Sequence, residues 1–254
     1  MVVGAQVWKG VNSYITDIFL NAGLARKGEM DKIEVLVVGR GKLANELLEG
    51  LFGDAISRVV RWEDRSETSP GSNIVVHAGS GRELADVIDY CTKTNSILFE
   101  LSTADLAIPE TINFPVIICP NVNLQVLYFM AMIKQFSRYF KGRKIRITES
   151  HQSSKKTKPG TAIYHAKSLG ISECDIISER NPERQQNTIG IPMEHLDRHA
   201  YHQILISGPE VEIKLETKVL GKTAYATSLS EIIALVAKKE LGPGHHDIVD
   251  IVVV

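Results

Sequence analysis

The chain has little cysteine, few aromatics and no strong charge of either sign. Its three cysteines, Cys91, Cys119 and Cys174, are odd in number and widely spaced, with no Cys-x-x-Cys pair. That argues against a disulfide framework or a cysteine-built zinc site, and fits reduced thiols in a cytoplasmic protein. Aromatics are 6% of the 254 residues and the formal net charge is −1. Without a global excess of positive charge, neither nucleic acid nor a membrane surface is an expected partner. No apolar run approaches the roughly 18–20 residues of a membrane span. Met1 to Leu24 mixes apolar residues with Gln6, Lys9, Asn12, Asp17 and Asn21, which is not the pattern of a secretory signal.

Hydrophobic residues make up 44%, enough at this length to bury a substantial core. Residues 1–31 read as an N-terminal extension. Val11, Tyr14, Ile15, Ile18, Phe19 and Ala22 suggest a helix there, packed on the surface or on a partner subunit. Ile33 to Val38 is a compact β-branched run, the pattern of a buried parallel strand. Gly39, Gly41 and Ala44 follow at Gly-x-Gly-x-x-Ala spacing, with Lys42 and Leu43 between, and then a helical period to Phe52. Gly39 permits the tight turn, Gly41 lets a pyrophosphate approach the backbone, and Ala44 allows close helix–strand packing. The helix N-terminus supplies free N–H groups and a positive dipole end. These residues are candidates to bind NADH or NADPH.

Ala55 to Trp62 reads as the second strand. Its tip carries Arg61 and Glu63, one suited to a 2′-phosphate and the other to a ribose hydroxyl, so the choice between the two cofactors stays open. A third strand ends at His77, read as structural, followed by Ala78 and Gly79. A helix spans Arg82 to Thr92. A fourth strand, Ser96 to Leu101, leads into Ser102 and Thr103, and a fifth, Pro115 to Cys119, into Asn121. This alternation predicts an α/β fold with a Rossmann-like doubly wound parallel sheet. A long buried helix, Leu124 to Phe140, leads out of it.

The second half reads as an α+β domain with a mostly antiparallel sheet. The strand Lys144 to Thr148 runs into Glu149, Ser150, His151, Gln152, two serines, Lys155 and Lys156, and then Gly160 and Thr161 at the start of a helix that Gly170 stops. A histidine, lysines and a helix N-terminus in a dozen residues suit an anionic substrate that must be held and given a proton. Asp175 to Arg198 reads as a loop over the site. His199 to Ile206 and Val211 to Val219 read as a hairpin, and Tyr225 to Glu240 as a helix. His245 and His246 read as a turn, and Asp247 to Val254 as a strand or a return to the first domain. His195, His199 and His202 are crowded, but their spacing is not that of a metal set, and no metal is expected. The domains read as 32–122 with 226–254 for the dinucleotide and 123–225 for substrate and oligomerisation.

These residues resemble the dihydrodipicolinate reductase family, the 4-hydroxy-tetrahydrodipicolinate reductases of the diaminopimelate–lysine pathway. The resemblance rests on the first glycine turn, on Cys119-Pro120-Asn121-Val122-Asn123, on Glu149 to Ala162, and on Tyr201-His202 and Gly208 to Ile213 downstream. It implies hydride transfer from NADH or NADPH to a cyclic imine dicarboxylate, and a homotetramer built through the C-terminal sheet. The family signature, Glu-x-His-His-x-x-Lys then Asp-x-Pro-Ser-Gly-Thr-Ala, places its catalytic histidine on His151 and its lysine on Lys155. Its carboxylate turn falls on Gly160 and Thr161, and the Thr161 hydroxyl would add a further bond to the carboxylate. Its cofactor-lining Thr-Thr-Gly falls on Ser102, Thr103 and Ala104. Gln152 stands where the signature has its second histidine, Thr157 where it has Asp, and the Ser before Gly-Thr is missing. The loop is one residue short, so Lys155 and Lys156 compete for one role, with Gln152 and Lys156 as further substrate contacts. A reductase of another imine and a non-catalytic binding protein are the alternative functions.

Overall fold

In the computed structural model, residues 32–65, 73–102, 108–156 and 159–253 are described. The helix expected near Val11 to Leu24, and Thr103, lie outside them. Strand β1 (Ile33–Val38) is followed by helix α1 (Lys42–Gly50), β2 (Ile56–Arg61), β3 (Ile74–His77), α2 (Leu84–Thr94), β4 (Ile97–Glu100) and β5 (Pro115–Ile118). With β10 (Gly244–Asp247) these strands form one parallel sheet in the order β10-β5-β4-β3-β1-β2. The continuous apolar run of β1 follows from burial on both sides of that sheet. Val35 and Val37 join a cluster with Leu47, Leu229, Ile233 and Ile248 on one face. Leu36 and Val38 join Val87, Cys91, Leu98 and Phe114 on the other.

Helix α3 (Leu124–Phe136) starts where Asn123 accepts the Val126 N–H through its side chain, at 3.2 Å. It ends four residues earlier than its pattern suggested, in a tight turn over Ser137–Phe140. The second sheet has the order β7-β6-β8-β9. Its strands are β6 (Lys144–His151), β7 (Ile177–Glu179), β8 (His199–Ser207) and β9 (Glu212–Leu220). Only β6 and β7 run parallel; the other neighbours are antiparallel. Helix α4 (Gly160–Leu169) packs Ala162 and Ala166 against Ile147, Ile204 and Ile206 of this sheet. The expected loop from Asp175 to Arg198 thus carries a strand as well as turns.

After α5 (Ala224–Val236) the chain returns to the first sheet, with two differences from the sequence reading. His245 and His246 lie in the edge strand β10, paired with Val116 and Ile117. Ile248 to Val252 is not a strand: helix α6 (Ile248–Val252) begins where Asp247, the last residue of β10, accepts the Val249 N–H at 2.9 Å. A helix lets Ile248, Val249, Ile251 and Val252 all be buried, whereas an edge strand would turn alternate residues outward. No helix among the described residues is long and apolar enough to cross a membrane.

Candidate active site

The first wall of the site is the carboxyl edge of the parallel sheet. Gly39 has φ +116°, and a Cβ there would lie 2.7 Å from the Ala78 carbonyl oxygen, so only glycine makes this turn. Gly41 caps α1 with no side-chain acceptor, and no acid occupies the first turn. A Cβ on Gly41 would meet nothing within 4 Å, so open space lies in front of the helix N-terminus. Buried Ala44 brings α1 close to the sheet. These features fit the pyrophosphate of a dinucleotide. Ala78, Gly79, Leu101 and Ser102, at the ends of β3 and β4, continue the wall. Beneath it His77 and Glu100 form a buried pair, Nδ1 to Oε2 2.7 Å, and Glu100 also accepts the Ser102 N–H at 2.7 Å. Buried in this pair and absent from the cavity wall, His77 fits the structural role that its place at the strand end suggests.

The facing wall comes from β6. Glu149 and His151 point to the same side of the strand, two residues apart, and His202 stands opposite Glu149 on β8. Glu149 is fully buried. It accepts from His151 Nδ1 at 2.6 Å and from Arg180 Nη2 at 2.6 Å and Nη1 at 3.2 Å. Burial alone would raise its carboxyl, but the bonds from His151 and Arg180 outweigh that and hold it at about 2. Burial pushes the His151 imidazole below its ordinary value, against the pull of Glu149 and with the help of Lys155 and Arg180. Because the carboxylate accepts a hydrogen bond from Nδ1–H, neutral His151 presents a bare Nε2 acceptor to the cavity. Burial likewise lowers the Lys155 ammonium. Behind His151 the rings of His202 and His165 continue into the core, with centroids 5.6 and 6.3 Å apart along the series. Burial lowers both, His165 to about 4.

Between the walls sits the N-terminus of α4. No side chain caps it and no acid lies in its first turn. The Thr161 hydroxyl donates to the Pro120 carbonyl at 3.0 Å and accepts from Asn121 Nδ2 at 3.0 Å. The hydroxyl was expected to add a bond to a carboxylate, but its one proton is spent on Pro120, which leaves the helix N–H groups as the donors on offer there. Asn121 is a joint between the two sheets, its other amide atom accepting the Asn123 N–H at 2.8 Å.

One cavity of about 480 Å³ gathers most of the expected residues. Gly41, Lys42, Leu43, Ala78, Gly79, Ser102 and Asn121 line one side; His151, Gln152, Lys155, Gly160 and Thr161 line the other. Gly39 is buried beneath the turn, and Arg61 and Glu63 stand outside the cavity. Lys156 is exposed and not in its wall, which separates it from Lys155. Sequence reasoning missed Arg180, Arg198 and Tyr225. Arg198 lines the cavity and pairs with buried Glu46 on α1, which also accepts the Tyr225 N–H at 2.8 Å. His199 bonds Ser150 Oγ at 3.0 Å on the opposite side of the sheet from His202, so the crowded histidines do not converge.

Comparison with known proteins settles the family. The model for the C-terminal part of dihydrodipicolinate reductase matches residues 125–252, half of the chain. The chain belongs to the dihydrodipicolinate reductase family. Among curated relatives, a probable 4-hydroxy-tetrahydrodipicolinate reductase 1, chloroplastic, of Oryza sativa subsp. japonica is 32% identical over 51% of this chain and 41% of its own length. The Arabidopsis thaliana 4-hydroxy-tetrahydrodipicolinate reductase 1, chloroplastic, is 34% identical over 48% of this chain and 39% of its own. The matches thus span about two fifths of these relatives. Dipicolinate-bound dihydrodipicolinate reductase from Paenisporosarcina sp. TG-14 shares the fold, with TM-score 0.57 and 15% identity over 85% of this chain and 97% of that one. The family's fold, a Rossmann-like domain followed by an α+β domain, is the one described above.

Proposed function

We propose that this chain is an NADH- or NADPH-dependent reductase of a cyclic imine dicarboxylate, as in 4-hydroxy-tetrahydrodipicolinate reduction in diaminopimelate and lysine biosynthesis. The observation that carries the reading is the apposition, across one cavity, of the glycine turn of α1 with His151, Lys155 and the N-terminus of α4. A bound nicotinamide would supply the hydride. Gly41, Lys42 and Leu43 would hold its pyrophosphate, and Ala78, Gly79 and Ser102 would flank the cofactor at the strand ends.

The chain's own residues then account for binding and the proton. The uncapped N–H groups of Gly160 and Thr161 receive a carboxylate. Lys155, in a half-buried wall, draws the anion in when charged, and burial makes its ammonium a readier proton donor than an exposed lysine. His151 is neutral in the free protein, and an anionic substrate beside it favours its protonated form. Glu149 fixes the tautomer and Arg180 fixes Glu149.

The test is turnover of freshly made 4-hydroxy-tetrahydrodipicolinate with NADH and NADPH, followed by nicotinamide absorbance. Oxidation that depends on the substrate supports the reading, and its absence with both cofactors overturns it. A second reading is a reductase of a different imine. Gln152 favours it, an amide in the cavity wall where the family signature has histidine. It predicts cofactor binding without turnover of this substrate. A non-catalytic protein would keep its biological activity in His151→Ala.

A further inference from the structure

We infer that Gln185 is a positioning residue for His151: its buried amide holds the backbone where β6 ends and so aims the imidazole into the cavity. The inference rests on the reductase reading above and deepens it.

The ladder between β6 and β7 stops with Ser150 in register with Glu179. Strand β7 therefore offers no partner to His151, the last residue of β6. The Gln185 side chain takes that place. Its Nε2 donates to the His151 carbonyl at 2.7 Å and to the Glu179 carbonyl at 3.1 Å. The two backbones are thus tied together one step past the last strand pair. The His151 carbonyl belongs to the peptide that leads into Gln152, and the next turn closes from the Lys155 N–H to the Gln152 carbonyl at 2.9 Å. One amide thereby fixes both the end of the His151 strand and the point where the Lys155 turn leaves it.

Gln185 is itself held firmly. It is fully buried. Its N–H donates to the Asn181 carbonyl and its carbonyl accepts the Ile191 N–H, each at 2.9 Å. It opens a single π turn, Gln185–Ile189, which Gly190 closes at φ +75°. Turns of this kind are rare and recur at functional sites. The same short segment carries Arg180, which grips the Glu149 carboxylate. Residues 180–185 therefore hold both members of the Glu149–His151 pair, one through its side chain and the other through its backbone. Among the described residues, Gln185 Oε1 has no hydrogen-bond partner. An apolar side chain of the same length would pack there without that cost, so what the amide contributes is its N–H pair.

The test replaces Gln185 with Met, which keeps the length and removes the donors. Nicotinamide fluorescence should give unchanged NADH and NADPH affinity, because Gln185 is not in the cavity wall. With 4-hydroxy-tetrahydrodipicolinate, kcat should fall about 10–100-fold while KM changes little, the mark of a group misplaced in the transition state. Nitrogen-15 NMR should show His151 as the Nδ1–H tautomer in the unmodified chain and as a mixture in Gln185→Met, with His77 unchanged. Gln185→Glu keeps the shape and donates only when its carboxyl is protonated, so its kcat relative to the unmodified chain should recover as pH falls. A folded Gln185→Met variant with unchanged kcat and His151 tautomer overturns the inference, as does one that loses nucleotide affinity and turnover alike. If Gln185→Met does not fold, absence of the acid recovery in Gln185→Glu overturns it. If the unmodified chain does not turn over the imine, the reductase reading fails, and the tautomer comparison alone decides whether Gln185 positions His151.

Discussion

Glu149 holds the Arg180 guanidinium and the His151 imidazole with one buried carboxylate, and this sets the chemistry of its neighbours. Replacing it with Gln leaves Arg180, whose side chain is only 25% exposed, without a counter-charge. Loss of one partner from such a pair costs about 3–5 kcal/mol, so Glu149→Gln should lower the unfolding midpoint sharply, and it should also release the His151 tautomer. His151→Ala should fold normally and lose roughly 10²–10⁴-fold in turnover, the range of a positioned acid–base group. The pH profile separates the roles of the two groups. His151 titrates below 6.5 and Lys155 below 10.5 in the free protein. If Lys155 must be protonated, kcat/KM falls as pH rises through its lowered value, beginning below 10.5. If cationic His151 were required instead, the fall would begin below pH 6.5. Lys155→Met should remove the alkaline limb. Arg180 was not legible in the sequence because it lies 31 residues from Glu149 in a polar, turn-rich stretch. Only the parallel register of Ser150 with Glu179 brings it there.

At the scale of elements, the glycine turn offers a paired test. Gly39→Ala puts a Cβ 2.7 Å from a backbone oxygen at a φ of +116°. It should destabilise by about 1–3 kcal/mol in urea unfolding, because the end of β3 must move. Gly41→Ala meets nothing within 4 Å. Its stability should stay within about 0.5 kcal/mol while nucleotide affinity falls, since the methyl group enters the space a pyrophosphate would use. The same turn shows why so much of the first sheet was legible: β1, β3 and β5 are buried on both faces, and their composition follows from that. The C-terminal segment misled because its signals are local and its environment is not. Two histidines pair with a strand that lies more than 120 residues away in sequence, roughly the span from Val116 to His245. A β-branched run becomes a helix because Asp247 caps it and the core takes four of its side chains.

The whole molecule should be sensitive to acid for a reason the site supplies. His165 is held neutral, at about 4, by burial. Below pH 6.5 the unfolded chain binds a proton that the folded chain refuses, so this contribution is complete above 6.5 and lost as pH falls toward 4. From the shift it is on the order of 3 kcal/mol. Glu149, held at about 2, adds a loss that begins near 4.5 and continues downward. Stability measured by urea unfolding should therefore fall steadily below pH 6.5, and His165→Phe should flatten the upper part of that fall. The second sheet also bears on assembly. Helix α4 covers one side; the other carries Tyr201, whose hydroxyl donates to Glu216 at 2.6 Å and accepts from Gln203 at 2.7 Å, with Lys218 above its ring. Glu216 and Lys218, exposed around the buried Tyr201 ring, present polar groups that suit an isologous contact in which residue i of one copy meets residue j of the other. We expect a homo-oligomer in solution, a tetramer by family resemblance, with light scattering as the measurement. Gln203 stands opposite Glu216 across β8 and β9, so Gln203→Glu sets two like charges side by side on that face. It should shift the mass toward the single chain, whereas a single-chain mass for the unmodified protein at micromolar concentration would rule out assembly through this face.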